Sequence, residues 1–227
     1  MVRGDFVNIL LTNDDGITSE RLLYLESVLK EYGDVYVVAP MFEQSAKSAS
    51  LTIGEIKFEK YSEHKYAIYG TPVDCVTFGV HGLKVDFDLV VSGVNKGFNL
   101  GIDILYSGTL GACFQAQYFN IKSLAFSGDY KGYEIVKKEL NKTLEYVFDK
   151  KMLSKNHTIN INFPMEKFEV SNGIVEVNRY LRRYEVKGEI KENVFVRKRD
   201  YNTVKAPEGT DAFAHDNGFT SITRVTI

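Results

Sequence analysis

The sequence predicts an α/β fold: a mostly parallel sheet flanked by helices, followed by a C-terminal β-rich extension. Three features of its 227 residues carry that prediction. The first forty residues run strand, helix, strand with short joints, an order that requires a parallel pair and a right-handed crossover. Each later apolar, β-branched run stops at a polar loop of small residues, as buried strands of an open sheet do at their carboxyl ends. From Met165 onward, charged and β-branched residues alternate as in strands with one exposed face.

The elements follow in order. Residues 6–12 form the first strand, ending at Asn13-Asp14-Asp15-Gly16. Residues 19–32 read as a helix, capped by Thr18 or Ser19, with Leu22, Leu25, Val28 and Leu29 on one stripe and Gly33 as the stop. Residues 34–39 are the second strand. The small, polar stretch 41–50 then lies over the same sheet edge as Asp14 and Asp15, and 51–69 is expected as an antiparallel excursion from the sheet. Thr71-Pro72 opens a helix to about Val80. Strand 88–92 ends in the loop Ser92 to Gly101, and Tyr106-Ser107-Gly108-Thr109 opens a helix over 110–119. Strand 123–127 and the amphipathic helix 133–149 come next, and strand 158–162 completes the sheet. Within 170–204, hairpin breaks are expected at Asn172-Gly173 and Lys187-Gly188. Gly209-Thr210-Asp211 begins a short terminal element, and 221–227 is a last β-like run. This divides the chain into an α/β domain at 1–164 and a β-rich segment at 165–227, the latter an arm suited to reaching a partner subunit.

With 44% hydrophobic and 26% charged residues, the composition is that of an ordinary globular protein. A net charge of −2 excludes a general binder of nucleic-acid polymers, whose surface must neutralise phosphates. No apolar run reaches membrane-spanning length and the first residues lack a signal-peptide pattern, so a cytoplasmic protein without a membrane partner is expected. Cys75 and Cys113 fall in predicted helices among apolar neighbours; they are expected as reduced core residues and have no zinc-site spacing.

The chemistry gathers at one sheet edge. Two adjacent carboxylates repel unless a proton or cation sits between them, and hard oxygen ligands suit a divalent cation. Taken alone, Asp14-Asp15-Gly16 is equally an ordinary turn with one carboxylate capping the next helix. Ser45 and Asn95 bring neutral oxygens to the same edge. The Ser107-Gly108-Thr109 turn brings hydroxyl and amide donors suited to an anion, with plain helix capping as the alternative. A cation beside an anion seat is the minimum equipment for hydrolysing a phosphate ester. The chain has no Gly-x-Ser-x-Gly elbow, and His64, His81, His157 and His215 stand in unrelated contexts. Gly16, two residues after Asp14, breaks the Asp-x-Asp pattern of aspartyl-phosphate phosphatases.

Five segments in order resemble the stationary-phase survival protein SurE family, metal-dependent nucleoside monophosphate phosphatases. They are Leu-Leu-Thr-Asn-Asp-Asp-Gly-Ile (10–17), Val-Val-Ala-Pro with Glu-Gln-Ser (37–45), Tyr-Gly-Thr-Pro-Val-Asp-Cys-Val (69–76), the stretch from Asp88 to Gly101, and Tyr-Ser-Gly-Thr-Leu-Gly-Ala (106–112). Gly209-Thr210-Asp211 and Ser221-Ile222-Thr223 are similar to the family's ending. The resemblance implies a Rossmann-like domain and a C-terminal β segment exchanged in a homodimer or homotetramer. It implies that Asp14, Asp15, Ser45 and Asn95 hold Mg²⁺ or Mn²⁺, that Asp14 and Asp15 are catalytic, and that Asn13, Asn95, Ser107, Gly108 and Thr109 border the phosphate. The implied substrates are nucleoside 5′- and 3′-monophosphates, with short polyphosphate in some members. Two positions depart from the family: Ala46-Lys47-Ser48-Ala49-Ser50 replaces a Gly-x-Gly-His-Ser-like run, and Ile102-Asp103 replaces a pair of aspartates. The rival expectation is a non-catalytic nucleotide-binding oligomeric protein, which would bind without releasing phosphate.

Overall fold

A strand covered by helices on both faces must be apolar on both, and the first strand meets that condition. In the computed structural model, which describes residues 8–201 and 204–227, β1 (Asn8–Thr12) is buried at every residue after Asn8. Phe6 and Val7, expected at its start, lie outside the described residues. Helix α1 (Glu20–Leu29) leads to β2 (Asp34–Pro40), which pairs parallel with β1. Then come β3 (Phe58–Ser62), β4 (Lys65–Ile68), α2 (Pro72–Gly82), β5 (Leu89–Lys96), α3 (Gly108–Tyr118), β6 (Lys122–Gly128), α4 (Glu134–Asp149) and β7 (Thr158–Asn162). β8 (Ile174–Glu176), β9 (Glu185–Lys191), β10 (Val194–Asp200), α5 (Asp211–Asp216) and β11 (Thr220–Val225) follow. Thr71 and Asp74 close a reciprocal capping box at α2, as the Thr-Pro signal predicts.

The main sheet has the order β3-β4-β2-β1-β5-β6-β7-β11-β8, and β4 through β7 are all parallel. Alternate residues of the central strands face two cores. Ile9 and Leu11 meet Leu22, Leu25 and Leu29 of α1, with Leu140 and Leu144 of α4 in the same cluster. Leu10, Val38 and Val90 meet Cys75 and Val76 of α2 and Ala112 and Ala116 of α3. Both cysteines are buried and free. Among the described residues no helix is long and apolar enough to cross a membrane.

Three local expectations are corrected. Segment 51–69 is not an excursion, because β4 extends the sheet beside β2 and β3 closes that edge antiparallel. β7 does not complete the sheet: β11 covers its outer edge antiparallel and β8 lies beyond, so its backbone groups are paired rather than open. Lys187-Gly188 is not a turn. β9 runs straight through it and the hairpin turns at Glu192-Asn193. Gly188 instead makes room for a ring, since a Cβ there would lie 2.5 Å from Phe195 Cε2 across the ladder. β9 and β10 pair only with each other, as a separate two-stranded sheet.

The strand order reverses at β1, which sits between β2 and β5 with all three strands parallel. Ligand crevices of open α/β sheets form outside the carboxyl ends of strands at such a reversal. The loops after β1 and β5 therefore meet there, and a buried arginine fixes them. Arg21 of α1 donates to the carbonyls of Asn95 (3.2 Å), Asp129 (2.6 Å) and Gly132 (2.9 Å), joining α1, the end of β5 and the β6–α4 loop. Replacing Arg21 with Met leaves those carbonyls without their donor and is expected to cost about 2–4 kcal/mol. A urea midpoint unchanged from the parent would refute this role.

Candidate active site

β1 ends at a turn that Asn13 holds with both ends of its amide. Its Nδ2 donates to the Gly16 carbonyl (3.0 Å) and its Oδ1 accepts from the Gly16 amide (3.2 Å). The turn aims Asp14 inward, toward the start of α3. Thr109 Oγ1 donates to Asp14 Oδ1 at 2.8 Å, and the Thr109 backbone amide also bonds this carboxylate. The next contact is tight, because a Cβ on Gly108 would sit 3.0 Å from Asp14 Cβ and 3.2 Å from its Oδ2 and would crowd that carboxylate. The loop after β2 is fastened to the same turn, with Gln44 N–H donating to the Asp14 carbonyl at 2.7 Å.

These fastenings bring Asp14, Ser45, Asn95 and Ser107 to the wall of one hollow of about 160 Å³, together with Asn99 and Arg199. Asp15 faces the neighbouring hollow of about 480 Å³, alongside Arg21, Glu43, Tyr130 and Tyr133. Lys96 lines both hollows, and its backbone N–H donates to Asp15 Oδ2 at 3.2 Å. Asn95 turns its Nδ2 to the Gly97 carbonyl (3.0 Å), leaving its side-chain Oδ1 for other partners, while Ser45 Oγ donates to Glu43 (2.7 Å). Three residues expected at the phosphate, Asn13, Gly108 and Thr109, line neither hollow. Asn13 and Thr109 are fully buried, one holding the turn and the other holding Asp14. Ser107 Oγ lines the hollow but also accepts from the Leu110 amide at 3.1 Å as the cap of α3.

The electrostatics ask for a cation. Burial, reinforced by the charge of Asp15, raises the Asp14 carboxyl from its ordinary value to about 6, against the opposing help of Thr109. Burial also raises Asp15, though the Lys96 amide and Arg21 oppose that shift. Among the described residues no three His, Cys, Asp or Glu side chains converge. A metal here would therefore rest on Asp14 with the neutral oxygens of Ser45 and Asn95, while Asp15 stands at the neighbouring hollow. Such a hard, oxygen-only set fits Mg²⁺ or Mn²⁺ and does not fit a closed zinc site.

A second group of polar residues holds the loop after β5, and sequence reasoning missed it. Asn160 and Asn162, both buried in β7, donate to the Asn99 carbonyl at 3.0 and 3.1 Å, and Asn162 Oδ1 accepts the Asn99 amide at 2.8 Å. Asp211 then receives the amides of Gly101 (2.8 Å) and Tyr180 (2.9 Å). The histidines serve packing: His64 stacks on Tyr36, His81 and His215 abut phenylalanines, and His157 bonds the Met152 carbonyl.

Residues 9–186 match the family described as "Survival protein SurE". The chain belongs to that family. Among SurE proteins, one from Clostridium botulinum (strain Alaska E43 / Type E3), called 5'-nucleotidase SurE, is 33% identical, with 96% of this chain and 92% of the relative aligned. One from Wigglesworthia glossinidia brevipalpis, called 5'/3'-nucleotidase SurE, is 37% identical over 96% of this chain and 90% of its own length. The crystal structure of the SurE protein from Aquifex aeolicus superposes with a TM-score of 0.84 at 32% identity, covering 96% of this chain and 93% of that one.

Because the ionised form of Asp14 is the costly one, Asp14→Asn is expected to make the metal-free protein more stable. The cost is absent below about pH 4 and complete above about pH 6, where the gain reaches about 3 kcal/mol. Urea titrations of both proteins in EDTA, across that range, test this; a variant no more stable than the parent at pH 8 would contradict it.

Proposed function

We propose that this protein is a divalent-metal-dependent phosphomonoesterase that hydrolyses nucleoside 5′- and 3′-monophosphates to nucleoside and phosphate. The observation that carries this reading is the convergence of Asp14, Ser45 and Asn95, from three separate strand ends, on one hollow beside the start of α3. Oxygen ligands at that spot have no packing purpose, and the burial of Asp14 is costly without a cation. The names of the two bacterial relatives, 5'-nucleotidase and 5'/3'-nucleotidase, point to the same substrates.

Mg²⁺ or Mn²⁺, when bound, would polarise the phosphoryl oxygen and lower the pKa of water. The rest falls to the chain. Asp14, oriented by Thr109, and Ser45, Asn95 and Asp15 would supply the ligands. Ser107 at the mouth of α3 would orient a phosphate oxygen through its hydroxyl proton. Water oxygen bonds to phosphorus in line, the ester P–O bond breaks, and the departing ribose oxygen receives a proton. Of the two carboxylates that line this hollow, Asp103 is taken up by Arg183, Arg199 and Tyr184, which leaves Asp14 to accept the water's proton.

Phosphate release from a panel of nucleoside monophosphates, after EDTA treatment and with Mg²⁺ or Mn²⁺ restored, tests the reading. Release is expected only with metal, and is expected to fall by at least about a hundredfold in Asp14→Asn. Tight nucleotide binding with no release under any metal would replace it with the non-catalytic binding protein.

Self-association belongs to the same reading. The β9–β10 hairpin exposes Ile190 (76%) and Phe195 (65%), a surface suited to a second copy of the chain. Changing both to Ser is expected to give a smaller species by light scattering. An unchanged mass would assign the contact elsewhere.

A further inference from the structure

The start of α3 is the obvious seat for a substrate phosphate, yet in this chain it is already engaged. Thr109 gives its hydroxyl and its amide to Asp14, and the Leu110 amide goes to Ser107 Oγ. A phosphate entering the hollow therefore needs positive charge from another element. Two cationic side chains line that hollow, Lys96 and Arg199. The Lys96 ammonium lies 4.7 Å over the Tyr130 ring, on the side of the neighbouring hollow. Arg199 is different. It comes from β10, in the hairpin that shares no ladder with the catalytic sheet.

Its position is fixed from several sides. Arg199 Nη1 lies 3.0 Å from Asp103 Oδ1, and its guanidinium stacks 4.9 Å over the Tyr184 ring. Asp103 belongs to the 3₁₀ turn Gly101–Tyr106, directly before Ser107, and is only 7% exposed. Arg183 Nη1 approaches the other oxygen of Asp103 at 3.4 Å, and the Tyr184 hydroxyl donates to Oδ1 at 2.8 Å. Burial, and then the neighbouring carboxylate, push the Tyr184 hydroxyl up to about 12, so it stays a donor. One carboxylate thus faces two guanidinium groups, and one of them, Arg199, stands at the wall of the hollow. Planar guanidinium donors match phosphate oxygens in pairs.

We infer that Arg199 is the phosphate-recognising side chain of this site, delivered by the hairpin and set in place by Asp103 and Tyr184. The inference rests on the phosphomonoesterase reading above, but it concerns anion binding and can be tested without turnover. The hairpin then does two jobs, offering its tip to another copy and its base to the substrate.

The test is calorimetric titration of inorganic phosphate into the full-length, Mg²⁺-loaded protein. Arg199→Ala is expected to weaken phosphate binding by about tenfold to a hundredfold, with Arg199→Lys in between and Mg²⁺ affinity unchanged in both. Lys187→Ala removes the 2.5 Å pair with Asp200 on the hairpin but keeps Arg199; it is expected to bind phosphate as the parent does. Should Arg199 serve only as a latch for the hairpin, Lys187→Ala and Arg199→Ala would fail alike, or neither would. Phosphate binding by Arg199→Ala equal to the parent's, or by neither protein, overturns the inference. If Arg199→Ala does not fold, Arg199→Gln and Arg199→Lys carry the comparison. Absence of nucleotide hydrolysis in a parent that binds phosphate through Arg199 would sink the enzymatic reading alone.

Discussion

A carboxylate driven into the interior at the end of a central parallel strand needs compensation from every direction, and Asp14 sits at that position. Its neighbours are arranged around the need. Thr109 at the start of α3 gives it both an amide and a hydroxyl, and Gly108 lacks the side chain that would crowd it. The helix start supplies partial positive charge where it is worth most, in a poorly solvated spot. Even so, burial keeps the ionised group uncomfortable. That residual cost is what a cation relieves, so the stability of the turn and its affinity for metal come from the same geometry.

The loops that complete the site are irregular, and their backbone groups must still be satisfied. Arg21, Asn160, Asn162 and Asp211 do this, each bonding main-chain atoms of those loops. These polar side chains occupy places where a packed core would ordinarily hold aliphatic ones. They exchange apolar burial for directional control over the loop from Asn95 to Gly101. A site built on such loops is precise because the second layer beneath it is rigid.

Much of this was legible in the sequence because helices cover both faces of the parallel strands, which makes those strands continuous apolar runs. The strands β1, β2, β5, β6 and β7 could be read on that basis, and the segments bearing Asp14, Ser45 and Asn95 could be placed at one edge. The rest depends on distant partners. Asn160 and Asn162 look like exposed positions of a strand until the Asn99 carbonyl, far earlier in the chain, is brought against them. Gly188 carries the same local signal as a turn glycine, and only the ring of Phe195 across the ladder distinguishes the two. The start of α3 reads as a phosphate seat, whereas in the fold Thr109 gives its donors to Asp14, a partner nearly a hundred residues away in the chain. Arg199 offers no local signal, since its meaning comes from where the hairpin folds back.

The order of the outer strands bears on how the chain leaves the ribosome. β8 pairs only with β11, and β11 alone covers the outer edge of β7. During synthesis β7 is therefore complete, with its row of backbone donors and acceptors open, while β8 and the hairpin are still being made. An open edge of that kind invites strands from neighbouring nascent chains. Protection comes only when the late strand slots between the two earlier ones, which makes this stretch of the polypeptide a guard against aggregation as well as part of the finished sheet.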